Sequence, residues 1–191
     1  MKINIFVEGK HDKEFLEQYL NFLKLPNANI IPCGKNHLDE DAISKMEEAK
    51  DNNEKNLLIF DTDKNFNSTL ERIKKESKDL LQDENIFLFP NNFENGELET
   101  LLFAIAKEAQ ICQCFENYKK CIEKLNPQYS KNIHKKSARF AYFEALGFFP
   151  SNDEKAKKAR KNSYAEIFDF NHIALKSLKD FLIKHYIGYC K

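Results

Sequence analysis

The chain has 191 residues, 42% of them hydrophobic and 31% charged, with 17 Phe, no Trp and a formal net charge of zero. That length suits one ordinary domain with a small appendage and a real core, and the composition is that of a globular protein rather than a disordered or fibrous one. No apolar run approaches the roughly 20 residues of a membrane helix, and the first apolar stretch reaches Glu8 too soon for a signal peptide. Five cysteines without regular spacing make a poor disulfide framework and a poor zinc site, so a cytoplasmic protein with no membrane association is expected.

In chain order, "KINIFV" (2 to 7) reads as a buried strand, and "HDKEFLEQYLNFLK" follows with Phe15, Tyr19, Phe22 and Leu23 at helical spacing. "ANIIPC" predicts a short second strand, Leu38 to Asn52 a helix, and "NLLIF" a third strand. A helix over about 67–81 leads to "NIFLFP", a fourth strand stopped by Pro90. Strands alternating with helices imply right-handed crossovers. The predicted fold class is therefore α/β, with a mostly parallel four-stranded sheet and helices on both faces. From "GELETLLFAIAKEAQ" onward the signals are helical, punctuated at Asn126-Pro127, at Gly147 and Pro150, and around Asn162-Ser163. The expected division is an α/β core over 1–108 and a mainly helical C-terminal subdomain over 109–191, packed on that core.

Charge is uneven along this neutral chain. Residues 119–161 hold 12 of the 30 Lys and Arg but only 4 of the 30 Asp and Glu. A basic segment of this kind is suited to phosphates, although a solvated helix face is the commoner use of a Lys run. Lys135, Lys136 and Arg139 open a predicted helix there, where each could contact one phosphate of a nucleic-acid backbone.

The chemistry-bearing signal is "LLIFDTDKNF", an apolar run that ends in two acids one position apart, Asp61 and Asp63. A surface turn explains an isolated D-x-D. A divalent cation explains it better if further acids arrive at the same place, because crowded carboxylates repel unless a cation screens them. In an open parallel sheet functional groups gather beyond the carboxyl ends of the strands. The first strand ends in "VEGKHD", which puts Glu8 at its carboxyl end and Gly9 in the turn. Neighbouring strands lie about 4.8 Å apart, so adjacent first and third strands would let Glu8 and Asp61 share one ion.

"VEGKHDKEFL" followed by "LLIFDTDKNF" resembles the two signature motifs of the Toprim fold, the catalytic module of topoisomerases, bacterial primases, recombination-repair proteins and OLD-family nucleases. "IFLFPNNFENGELETLL", "KKSARFAYFEALG" and the Phe-rich end are similar to stand-alone Toprim-like proteins of uncharacterised function. The resemblance implies Mg2+ or Mn2+ as cofactor, held by Glu8, Asp61 and Asp63, with Glu8 also in acid/base work. By likeness to the OLD nucleases it implies Glu99 as a further ligand. Glu97 and Glu99 are two apart, so on a helix only one would face a common site; Glu99 is the expected one, and Glu97 is read as an acid of the helix N-terminus. Lys10 is a candidate for steadying a phosphate or a developing charge, against the reading of a solvated turn lysine.

The function implied is metal-dependent phosphodiester chemistry on nucleic acid, most simply by a small nuclease in defence or DNA maintenance. The alternative is a non-catalytic Toprim-like module that binds nucleic acid, nucleotide or a partner protein. No G-x-x-x-x-G-K-[ST] loop occurs, so an ATPase activity would have to come from a separate chain.

Overall fold

Each strand core is apolar on both faces, which only a sheet covered on both sides can accommodate. The computed structural model, which describes residues 2–62, 65–134, 136–148 and 163–187, has this arrangement. Strands β1 (Ile3–Val7), β2 (Asn29–Pro32), β3 (Lys55–Asp61) and β4 (Ile86–Phe89) form one sheet in the order β2-β1-β3-β4, with every pair parallel. Val7 stands opposite Ile59 and Asp61 opposite Phe89.

Strand alternation sorts the apolar residues between two layers. Phe6, Leu58, Phe60, Ile86 and Leu88 share a cluster with Ala42, Ile43 and Met46 of α2 (Glu40–Asp51) and Ile73 of α3 (Phe66–Glu76). The opposite face meets α1 (Lys10–Phe22), whose Phe15 ring lies edge-on to Phe89 at 6.2 Å, and a C-terminal helix whose Phe181 ring lies 5.4 Å from Phe87. Burying each such ring contributes about 1.5–3 kcal/mol. The helix between β1 and β2 lies on one face, and those between β2 and β3 and between β3 and β4 on the other. Right-handed crossovers require this when the chain reverses its direction across the sheet.

Local signals set the element ends. Asp39 Oδ1 accepts the Ala42 amide at 3.0 Å and Asn65 Oδ1 accepts the Ser68 amide at 2.9 Å, each capping the helix that follows. Helix α3 stops at Glu76, short of the predicted residue 81, because Lys78 and Asp79 turn the chain with φ of 48° and 64°. Both sheet edges are blunted. Lys13 Nζ donates to the Ile30 carbonyl at 3.0 Å on β2, while Asn92 accepts the Leu88 amide through Oδ1 at 3.0 Å and donates its own amide to the Leu88 carbonyl at 2.8 Å on β4.

The chain divides into two units: residues 1–101 with 170–191, and residues 102–169. In the first, the chain returns after residue 169 to complete the α/β layer, so the helical tail does not form one continuous subdomain beginning at 109. Phe170 packs edge-on against Phe15 and Tyr19 at 6.0 and 5.4 Å, and the His185 ring Nε2 lies 2.7 Å from the Glu84 carbonyl. The second unit contains the end of α4 (Leu98–Ala104), then α5 (Ala109–Leu125), α6 (Pro127–Lys131) and α7 (Ser137–Ala145). The returning C-terminal helix is α8 (Lys176–Tyr186). The core of the second unit is aromatic: Tyr142 stacks on Phe168 at 5.5 Å and donates its hydroxyl to the Ile167 carbonyl at 2.9 Å. Pro150 and Asn162 lie outside the described residues. No helix among the described residues is long and apolar enough to cross a membrane.

Candidate metal centre

From β1 the chain runs outward to β2, and from β3 it runs the other way to β4. The paired strands β1 and β3 therefore flank the point where the order reverses, and their carboxyl ends form the crevice in which open α/β sheets bind ligands. Glu8 leaves β1 there, and Asp61 is the last residue of β3. Glu8 Oε1 accepts the Asp61 amide at 3.1 Å, so the two strand ends are tied through an acid side chain.

A third segment is fixed to the same place by β3 itself. The Thr62 amide donates to the Gly96 carbonyl at 3.0 Å, Thr62 Oγ1 donates to the Phe89 carbonyl at 2.6 Å, and Asp61 Oδ1 accepts the Leu98 amide at 2.8 Å. The approach is close enough to favour glycine at position 96, since a Cβ there would stand 3.0 Å from Thr100 Oγ1 and 3.1 Å from Pro90 Cδ. These bonds carry Glu97 and Glu99 to Asp61. One carboxylate oxygen from each of the three lies within 4.8 Å of the others.

Glu97 enters this group against the sequence expectation. The helical-spacing argument fails because α4 begins at Leu98, so Glu97 precedes the helix while Glu99 lies on it, and both bring an oxygen to Asp61. Glu8 flanks the three-acid group through its bond to the Asp61 amide. Asp63 lies outside the described residues. Lys10 is exposed as the first residue of α1. Asp12 caps its own helix, accepting the Gly9 amide at 3.0 Å, as expected of an acid in a first turn.

The electrostatics are unfavourable for a cluster left without a cation. Asp61 is 7% exposed and Glu99 8%. Burial, then the charges of Glu8, Asp12 and Glu99, push the Asp61 carboxyl up to about 9, and only the Leu98 amide opposes them. Three hard oxygen donors within 4.8 Å of one another are the kind of set that suits a hard divalent cation. The acids present therefore fit such an ion.

The basic candidates belong to the other unit. Lys136 is half-buried at the start of α7, and Lys135 lies outside the described residues. Arg139 is only 2% exposed, with its guanidinium 5.4 Å from the Phe140 ring centre. It is buried together with Ala138, Tyr142 and Phe143 of α7.

No curated protein and no solved structure matches the chain. The model of one family, described as protein of unknown function (DUF3226), matches residues 2–187, and the chain belongs to that family.

Proposed function

We propose that the carboxyl edge of the sheet is a divalent-cation site for phosphodiester chemistry on nucleic acid, in a Toprim-like protein acting as a small nuclease. The observation that carries this reading is the convergence of Asp61, Glu97 and Glu99 within 4.8 Å, from two segments far apart in sequence, at the reversal point of the sheet. Asp61, Glu97 and Glu99 would hold the ion, Mg2+ or Mn2+. When bound, such an ion supplies neutralisation of charge building on a phosphodiester. Glu8 holds the Asp61 main chain and would act beside the group as its general acid or base, and Lys10, two residues further along the chain, would offer an exposed ammonium to a substrate phosphate.

A second reading is favoured by the burial of Asp61 and Glu99. An ion held by two nearly inaccessible carboxylates suits a docking module, in which the cation organises a binding edge without turnover. Cleavage of single- and double-stranded DNA and RNA, measured with Mg2+ and Mn2+, separates the two. The nuclease reading expects divalent-dependent hydrolysis that falls at least ~100-fold in Asp61→Asn, a loss typical of removing one electrostatic contributor to a transition state. Binding of the polymers without hydrolysis of any of them selects the docking module.

A further inference from the structure

The loop between β4 and α4 spends its amide side chains on fixing its own shape. Asn92 sits in the left-handed region with φ of 71° and binds both main-chain groups of Leu88. Asn91 Oδ1 accepts the amides of Phe93 at 3.3 Å and Glu94 at 2.9 Å, and its Nδ2 donates to Glu94 Oε2 at 2.7 Å. Asn95 Oδ1 accepts the Phe66 amide at 2.9 Å, pinning the far side of the loop to the start of α3. Local side-chain bonds of this kind hold a turn in one conformation.

What this scaffold presents is Phe93. Its ring is 66% exposed, the largest exposure of any Phe among the described residues, in a chain whose other phenylalanines mostly fill the core. The ring is four residues before Glu97, on the loop that delivers the acids to Asp61. Single exposed apolar residues are ordinary on mobile or featureless surface. An exposed aromatic ring on a loop whose own bonds fix its shape, and which runs on into Glu97 and Glu99, is a different case, because a π-face so placed gains most from a flat partner whose charged end reaches the ion.

We propose that Phe93 is a stacking platform for an unpaired nucleobase, gripping single-stranded nucleic acid so that the adjoining phosphate lies over the acid group. This rests on the cation-site reading above and adds the strandedness of its ligand. A paired base keeps its faces inside the duplex, whereas an unpaired base offers one to the ring, and stacking of this kind tolerates any base. Phe93 is a positioning residue for binding and carries no chemistry.

The test uses the full chain in Ca2+, with fluorescence anisotropy of labelled twelve-nucleotide dT and U oligomers and of a twelve-base-pair duplex. Removing one stacking contact in Phe93→Ala is expected to weaken single-strand binding about ten-fold. Phe93→Trp is expected to keep or strengthen it, and Phe93→Leu, apolar but without a π-face, to resemble the alanine variant. Duplex binding should be the weaker and should change little. Mn2+ binding, read separately by electron paramagnetic resonance, is expected to be unaltered in all three variants. Equal single-strand affinity in wild type and Phe93→Ala, a leucine variant as good as wild type, or a wild-type chain that captures no oligomer would overturn the platform. Absence of Mn2+ binding with stacking-dependent capture intact would instead remove the cation reading and leave the platform standing.

Discussion

The two ends of the same four strands carry polar groups of similar kind and opposite fate. At the amino end, Lys2 Nζ meets Glu54 Oε1 at 3.3 Å, Asn4 Nδ2 donates to Glu54 Oε2 at 2.8 Å, and Asn29 Nδ2 donates to Asn4 Oδ1 at 2.9 Å. The Asn4 hydrogen bond, opposed by desolvation and aided by Lys2, holds the Glu54 carboxyl below its usual range. At the carboxyl end Asp61 sits among Glu8, Asp12 and Glu99 and is pushed up to about 9. One acid is held ionised by partners within the chain, and the other is held protonated by burial and like charges. A carboxyl so placed costs stability because it must take up a proton on folding, a cost that structural networks avoid and that gathers at functional sites.

The largest effect expected from this contrast is in Asp61→Asn. The amide keeps an oxygen for the Leu98 amide and needs no proton taken up on folding, so the cation-free protein should gain about 2–4 kcal/mol at pH 8, on the order of 5–15 °C in Tm by calorimetry. The same substitution should erase the extra stabilisation that Mn2+ gives the wild type. A variant less stable than wild type in chelator would break the contrast.

The pH dependence follows from the sign of the shift. With a folded value near 9 and an ordinary unfolded one near 3.8, folded Asp61 keeps a proton that the unfolded chain has released, so wild-type stability in chelator should fall as pH rises across that window. Saturating Mn2+ competes with the proton and should flatten the slope, as should Asp61→Asn. Thermal melts at pH 5, 7 and 9, in chelator and in Mn2+, read both effects.

At the amino end the expected effects are smaller and independent of the ion. Asn4→Ala removes a buried side chain whose partners, Glu54 and Asn29, still reach water, and should cost about 0.5–1.5 kcal/mol in urea unfolding. Lys2→Ala removes an exposed partner and should change stability by less than about 0.5 kcal/mol. Neither should alter Mn2+ affinity, and a loss of affinity in either would show that the two ends are not separate.

The α/β order and the paired exits of β1 and β3 were legible because they rest on local patterns: buried runs, capping residues, and acids at strand ends. Glu8 and Asp61 could be placed side by side once the first and third strands were taken as neighbours. Glu97 was not legible, since its position depends on where α4 begins, and Thr62 and Asp61 fix that from another strand. The fate of Arg139 was hidden for a related reason: charge composition marks a basic helix, but only packing decides which of its cations turns inward. The return of Phe170 and α8 to the sheet depends on aromatic contacts with Phe15, Tyr19 and Phe87 across most of the chain length, which spacing along the sequence does not encode.

The most direct test is a calorimetric Mn2+ titration of chelator-stripped protein at pH 8, wild type beside Asp61→Asn. Saturable binding in the wild type that disappears in the variant is the predicted result. A wild type that takes up no Mn2+ at millimolar supply, or a variant that binds it equally well, would contradict the claim that the buried acids at the carboxyl edge of the sheet are completed by a cation.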